Sequence, residues 1–275
     1  MKVLLAARSL EDRGALARAL ARRGHDVLVL AGVAARADAA AAATRIVETR
    51  DDGVRGLRLE RADPCPDHWQ KSSVPEVRRL VRELLAAERP ESSHVAHWRL
   101  LSRELVHLAA LARVPAVVTL ADDWSACPIA TRACARTRAA CDAAVGVHPC
   151  VACAGRVPPA TPWVPREAQH LALAERQRDL ERELALARSV LVPTPEHGER
   201  VRRFLGPSAS RPAFEPVPDD DVDAHEAVYA RARTAGAPAV AAPADDWFGE
   251  RMRAFAAEQW DRALRAAESG SDRGP

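Results

Sequence analysis

Lys2-Val-Leu-Leu-Ala-Ala7, followed by Leu16-Ala-Arg-Ala-Leu-Ala-Arg-Arg-Gly-His-Asp-Val-Leu-Val-Leu30, carries a strand, a helix and a second strand. After Lys2 the first run is apolar, as a strand covered on both faces is. Between Arg13 and Arg23, residues Leu16, Ala19, Leu20 and Arg23 recur at helical spacing, and Gly24 stands where a helix closes through a left-handed residue. Asp26–Ala31 is apolar again after its first residue. Two buried strands bridged by one helix run parallel with a right-handed crossover.

Working outward, the alternation persists. Gly56–Glu60 has the period of a strand, and Val74–Glu88 places Val77, Leu80, Val81, Leu84 and Leu85 on one helical face. Ala34–Ala43 is alanine-rich and suits a helix or an ordered loop. Ser92–His97 reads as a short strand, Leu100–Ala112 as a helix, Pro115–Leu120 as a strand. Arg166–Arg188 is a long helix rich in opposite charges, Ser189–Pro193 a strand and Pro195–Leu205 a helix. The expected fold class is α/β, a doubly wound, mostly parallel Rossmann-like sheet. Gly206–Pro243 is rich in proline and carries Asp219-Asp-Asp221, so a mostly irregular connection is expected, with one helix near Ala224–Thr234. Trp247–Ala267 reads as a final amphipathic helix and Ser269–Pro275 as a disordered tail.

The 275 residues, 48% of them hydrophobic, suffice for a sizeable core. The formal net charge is +2 with both signs interleaved, which gives no electrostatic case for nucleic acid or an anionic membrane. The opening apolar run is five residues long before Arg8, short of the ~7–15 of a secretory segment. A cytoplasmic protein is expected. Thiols stay reduced there, so clustered cysteines point to metal or redox chemistry before disulfides.

Such a cluster exists. After Pro115–Leu120 come Ala121-Asp-Asp-Trp124, Cys127-Pro128, Cys134, Cys141 and Cys150-Val-Ala-Cys153. Cys150 and Cys153 form a common zinc half-site. Cys127 and Cys141 complete a candidate structural zinc set, with Cys134 or His148 as substitutes. The competing reading makes these thiols small buried hydrophobes. A redox role for Cys150 and Cys153 would require a low thiol pKa and exposure. Cys65, between two prolines, reads as a bystander.

Four segments, in order, resemble the N-terminal domain of family 4 glycosyltransferases, retaining enzymes with the two-domain GT-B architecture. They are Leu16–Leu30 with its Arg-Gly-His turn, Glu88–His97, Val114–Trp124 with Cys127-Pro128, and Ala187-Arg-Ser-Val-Leu-Val-Pro-Thr-Pro195. The third is similar to a cysteine-bearing subgroup. The resemblance spans Met1–Leu205 and implies a single GT-B lobe, the half that binds the acceptor. In the family the donor is held mainly by a C-terminal Rossmann-like domain. Only about seventy residues follow Leu205 here, without strand-helix alternation or a glycine-rich phosphate loop. Glu175 and Glu183 have the family's Glu-x7-Glu spacing but fall in the long helix of the N-terminal half, where chance accounts for it. The glycine-rich turn after the first strand is reduced to Gly14, and the family's His-Asp pair is here Asp122-Asp123.

The expected substrate-binding residues are His97, Asp122, Asp123, Trp124, Gly14 and Arg13. Loops at the carboxyl ends of parallel strands bind ligands, and His97 and Asp122–Trp124 begin such loops. A carboxylate there accepts a hydroxyl proton or caps the next turn; Trp124 offers a face to a sugar ring or fills the core. Arg8 and Arg13 could meet phosphate. His94 and His97 point to opposite faces unless the strand ends between them.

The expected organisation is a glycosyltransferase-like lobe over 1–205, a connection over 206–246, a helix over 247–268 packing back, and a tail over 269–275. The expected function is the acceptor-binding half of sugar transfer from a nucleotide-sugar to a glycan or lipid-linked acceptor. A separately encoded domain would supply the nucleotide-sugar donor site in trans. The alternative is a non-catalytic binding or scaffold protein with a zinc-stapled cysteine loop.

Overall fold

The computed structural model describes residues 1–34, 44–51, 54–61, 75–133, 139–154, 166–205 and 212–240. Eight strands form one sheet in the order β3-β4-β2-β1-β5-β6-β7-β8. The strands are β1 (Lys2–Ala7), β2 (Asp26–Ala34), β3 (Arg45–Asp51), β4 (Val54–Arg61), β5 (Ser92–Val95), β6 (Ala116–Thr119), β7 (Ser189–Val192) and β8 (Phe214–Pro216). Every neighbouring pair is parallel except β3 with β4. The fold is α/β with a mostly parallel, Rossmann-like sheet. Strand order reverses between β1 and β5, which makes the crevice at their carboxyl ends the topological switch point.

Side chains alternate between two helical layers. Leu4, Ala6, Leu28 and Leu30 face a core shared with α2 (Pro75–Glu88), α3 (Leu105–Leu111) and α5 (Arg166–Leu186). Val3, Leu5, Val27 and Val29 face α1 (Gly14–Arg22) and α7 (Val222–Ala235). The remaining helices are α4 (Val147–Ala154) and α6 (Pro195–Leu205). Gly24 closes α1 with φ of 83°, and the amide of His25 returns to Leu20 O at 3.2 Å, a glycine C-terminal cap.

The structure departs from the sequence reading in four places. β3 adds an antiparallel border strand that was not expected, with Arg45, Glu48 and Arg50 exposed. α3 starts at Leu105 instead of Leu100, because Leu100 sits at φ of 63°, outside the helical region. The cysteine segment contains α4, where little regular structure was expected. Within the expected connection, β8 extends the sheet unexpectedly, whereas α7 stands where a helix near Ala224–Thr234 was expected, with Val217, Val228, Tyr229 and Ala232 buried. Asp221 starts α7 by accepting from the amide of Ala224 at 3.0 Å. The alanine-rich stretch over 35–43, the 247–268 helix and the 269–275 tail lie outside the described residues. Among those described, no helix is long and apolar enough to cross a membrane.

Candidate functional site

β5 ends at Val95, so the chain turns between His94 and His97 and the two imidazoles part company. His97 lies in the loop beyond β5. Its Nδ1 accepts from the amide of Arg99 at 2.9 Å, and its Nε2 lies 2.8 Å from Asp122 Oδ2. An amide can only donate, so Nδ1 is unprotonated and the ring proton sits on Nε2, given to Asp122. Asp122 begins the loop after β6. Its Oδ1 accepts from the amide of Trp124 at 2.9 Å, an Asx turn. The sequence offered a capping role or a site role for this carboxylate, and the geometry allows both.

His97 is buried, whereas the Asp122 side chain is 43% exposed. The accessible group of the pair is therefore the carboxylate. Burial pushes its pKa up, but the hydrogen bond from His97, the Trp124 amide and the Arg8 charge outweigh that, and the net shift is downward. Asp122 is thus an ionised hydrogen-bond acceptor, backed by a histidine and open on one side.

Charged groups from the adjoining strand ends surround it. Arg8, after β1, is 55% exposed and pairs loosely with Asp12 at 3.6 Å. Asp123 Oδ1 lies 3.6 Å from the guanidinium of Arg200 on α6. Arg200 also donates to Nδ1 of His197 at 2.8 Å. Burial and then the Arg200 charge lower the His197 pKa. The sequence reading missed His197 and Arg200. Their signal was position, since both fall just after β7 at the same carboxyl edge as β1, β5 and β6.

Trp124 lies beneath the same loop, and Arg13 and Gly14 lie at the start of α1. Trp124 is 8% exposed and stacks on Trp98, with centroids 5.8 Å apart and planes 17° apart. It fills the core beneath the loop. Arg13 is buried and ion-paired with Asp219. Gly14 opens α1, its amide donating to Glu11 O at 3.0 Å. His94 is enclosed between sheet and α7, bonded at 2.7 Å to both Tyr229 Oη and Thr119 Oγ1.

A structural zinc was expected on Cys127, Cys141, Cys150 and Cys153. Among the described residues, no group of three or more His, Cys, Asp or Glu side chains is arranged to hold a metal ion. Cys127, Cys141 and Cys150 form no disulfide. Cys127 and Cys141 lie close enough to Cys150 to raise its pKa, although burial is the main cause of that rise. A raised thiol pKa is the reverse of what a redox-active cysteine needs. Cys65 and Cys134, and the side chain of His148, are outside the described residues. An arginine fastens the segment instead. Arg132 donates to Ala126 O at 3.0 Å, to Ala143 O at 2.9 Å and to Cys141 O. Its own carbonyl accepts from the Cys141 amide at 2.8 Å, and its guanidinium lies over the Phe204 ring.

No protein-family model and no curated protein matches the chain. Among solved structures, it is similar to a sucrose-phosphate synthase chain from Thermosynechococcus elongatus, at 13% identity and a TM-score of 0.46, over 82% of this chain and 96% of that one. A second chain of that enzyme matches at 12% and 0.44, over 79% and 48%. A UDP-forming α,α-trehalose-phosphate synthase from Burkholderia vietnamiensis matches at 10% and 0.42, over 79% and 48%. The chain spans about half the length of the last two.

Proposed function

We propose that this chain is a glycosyltransferase-like lobe that binds a hydroxylated acceptor, a glycan or lipid-linked sugar, at the carboxyl edge of its sheet. One observation carries the reading. The His97–Asp122 pair presents an ionised, partly exposed carboxylate at the crevice where ligands of doubly wound sheets bind. A carboxylate in that state accepts hydrogen bonds from sugar hydroxyls, and His97 fixes its direction.

The four-segment sequence resemblance adds the chemistry, transfer of a glycosyl group from a nucleotide-sugar. In this reading the lobe orients the acceptor, so positioning is its main contribution. A separate donor-binding domain completes the enzyme.

The test is titration of the purified chain with simple glycosides such as methyl α-D-glucoside and methyl α-D-mannoside. Backbone and His97 NMR signals are followed in the wild type and in Asp122→Ala. Shifts at the ends of β5 and β6 that vanish in the variant support the reading. Binding unaffected by Asp122→Ala would overturn it. Robust transfer by the chain alone would overturn the requirement for a partner domain.

A further inference from the structure

The two loops that carry His97 and Asp122 are bonded to one helix, α5, through two buried polar side chains, Glu183 and Arg176. Glu183 is 0% exposed. Its Oε2 accepts from the indole Nε1 of Trp98 at 3.0 Å and from the amide of Val106 at 2.7 Å, and its Oε1 accepts from the amide of His107 at 2.9 Å. The last two are unpaired amino-terminal groups of α3, which Glu104 at the N-cap position does not cap with its side chain. Glu183 thus caps α3 from another helix and, by the same oxygen, holds the residue next to His97.

Arg176 lies seven residues, two turns, earlier on the same face of α5. It is 2% exposed, donates to the carbonyl of Trp124, and places its guanidinium carbon 4.7 Å from the centre of the Trp124 ring. That backbone is two residues from Asp122. The Trp98–Trp124 stack joins the two anchored loops, and the His97 ring leans on Trp124 with centroids 5.7 Å apart.

Holding a helix against a sheet does not require buried charge. Apolar side chains of similar volume do so at equal or lower cost. What Glu183 and Arg176 provide is direction, because the Trp98 bond of Glu183 and the Trp124 bond of Arg176 end on loop residues within two positions of the pair. We propose that Glu183 and Arg176 are positioning residues that set the His97–Asp122 geometry. Only what that pair binds rests on the function proposed above.

The experiment reads His97 directly, by nitrogen-15 NMR of its imidazole, assigned by loss of the signals in His97→Gln. The wild type should show one neutral form, protonated at Nε2. Trp98→Phe removes the indole donor but keeps the stacked ring and the α3 cap. Glu183→Gln replaces one accepting oxygen with an NH2 that faces an N–H. In both, the His97 signals should move towards a mixture of the two neutral forms, while circular dichroism keeps the wild-type helix content. His97 signals unchanged in folded Trp98→Phe would overturn the proposal, and this variant carries the test if Glu183→Gln fails to fold. Signals that move in the variants, in a protein that ignores methyl α-D-glucoside and methyl α-D-mannoside, would uphold the positioning role and sink the acceptor reading alone.

Discussion

His97 and Asp122, 25 residues apart, meet at 2.8 Å because β5 and β6 are parallel neighbours ending at the same edge. Both ring nitrogens of His97 are engaged, so the pair works through its carboxylate. Asp122→Asn keeps the size and loses the charge. Binding of a hydroxylated ligand should weaken by about 1.5–3 kcal/mol, the range for a hydrogen bond to a charged group. Isothermal titration calorimetry measures this. Because its pKa is lowered, Asp122 stays ionised from neutral pH into the acid range. Ligand affinity should therefore hold at neutral pH and fall only when acid protonates the group.

Tyr229→Phe removes the hydroxyl that meets His94 Nδ1 and leaves a fully buried nitrogen without that partner. The expected cost is about 1–3 kcal/mol. Urea denaturation should show a lower midpoint with an unchanged slope. An unchanged midpoint would mean that the hydrogen bond contributes nothing net.

Gly32→Ala tests the approach of β2 to the loop after β5. A Cβ at Gly32 would collide with the carbonyl oxygen of Leu100. Both sides of this contact are backbone, so one must move. Overpacking of this kind costs about 1–3 kcal/mol. The displaced loop also holds the Arg99 amide on His97, so the His97 signals should shift along with the melting temperature.

Glu88 governs an acid limb. Hydrogen bonds from Arg55 and then Lys2 lower its pKa to about 2, against an ordinary 4.5. The unfolded chain binds this proton first, so the contribution of Glu88 is fully present above about pH 4.5 and is lost as pH falls through about 2. Glu88→Gln should flatten that part of the stability curve, measured by denaturant midpoints from pH 6 down to about 2.

Arg132→Ala should free the cysteine-bearing segment, since one guanidinium holds the carbonyls of Ala126, Cys141 and Ala143. Alkylation of Cys141 and Cys150, followed by mass spectrometry, should quicken. Equal rates in variant and wild type would show that other contacts hold the segment.

β1, β6 and β7 were legible because they are buried on both faces and so read as near-continuous apolar runs, as in Val3–Ala7. β3 was not. As a border strand it carries Arg45, Glu48 and Arg50, and its composition looks like a surface loop. α7 was legible only in outline, because its buried stripe of His225, Val228, Tyr229 and Ala232 includes two polar residues. His97 and Asp122 could be found by their place at strand ends. Arg176 and Glu183 look like their solvated neighbours in a charged helix. The available signal was their alignment with Leu173, Leu180, Leu184 and Ala187 on one helical stripe.

The layer beneath the sheet sets Val3, Leu5 and Leu16 against Val228, Tyr229 and Ala232. On the ribosome, the first strand is made long before the helix that covers it. α1 covers part of that face early, but the part that meets α7 stays open until more than two hundred further residues have been synthesised. Growing chains of this protein therefore pass through a prolonged interval in which a sticky surface is open to chaperones. Release from that vulnerable stage comes only with the arrival of α7.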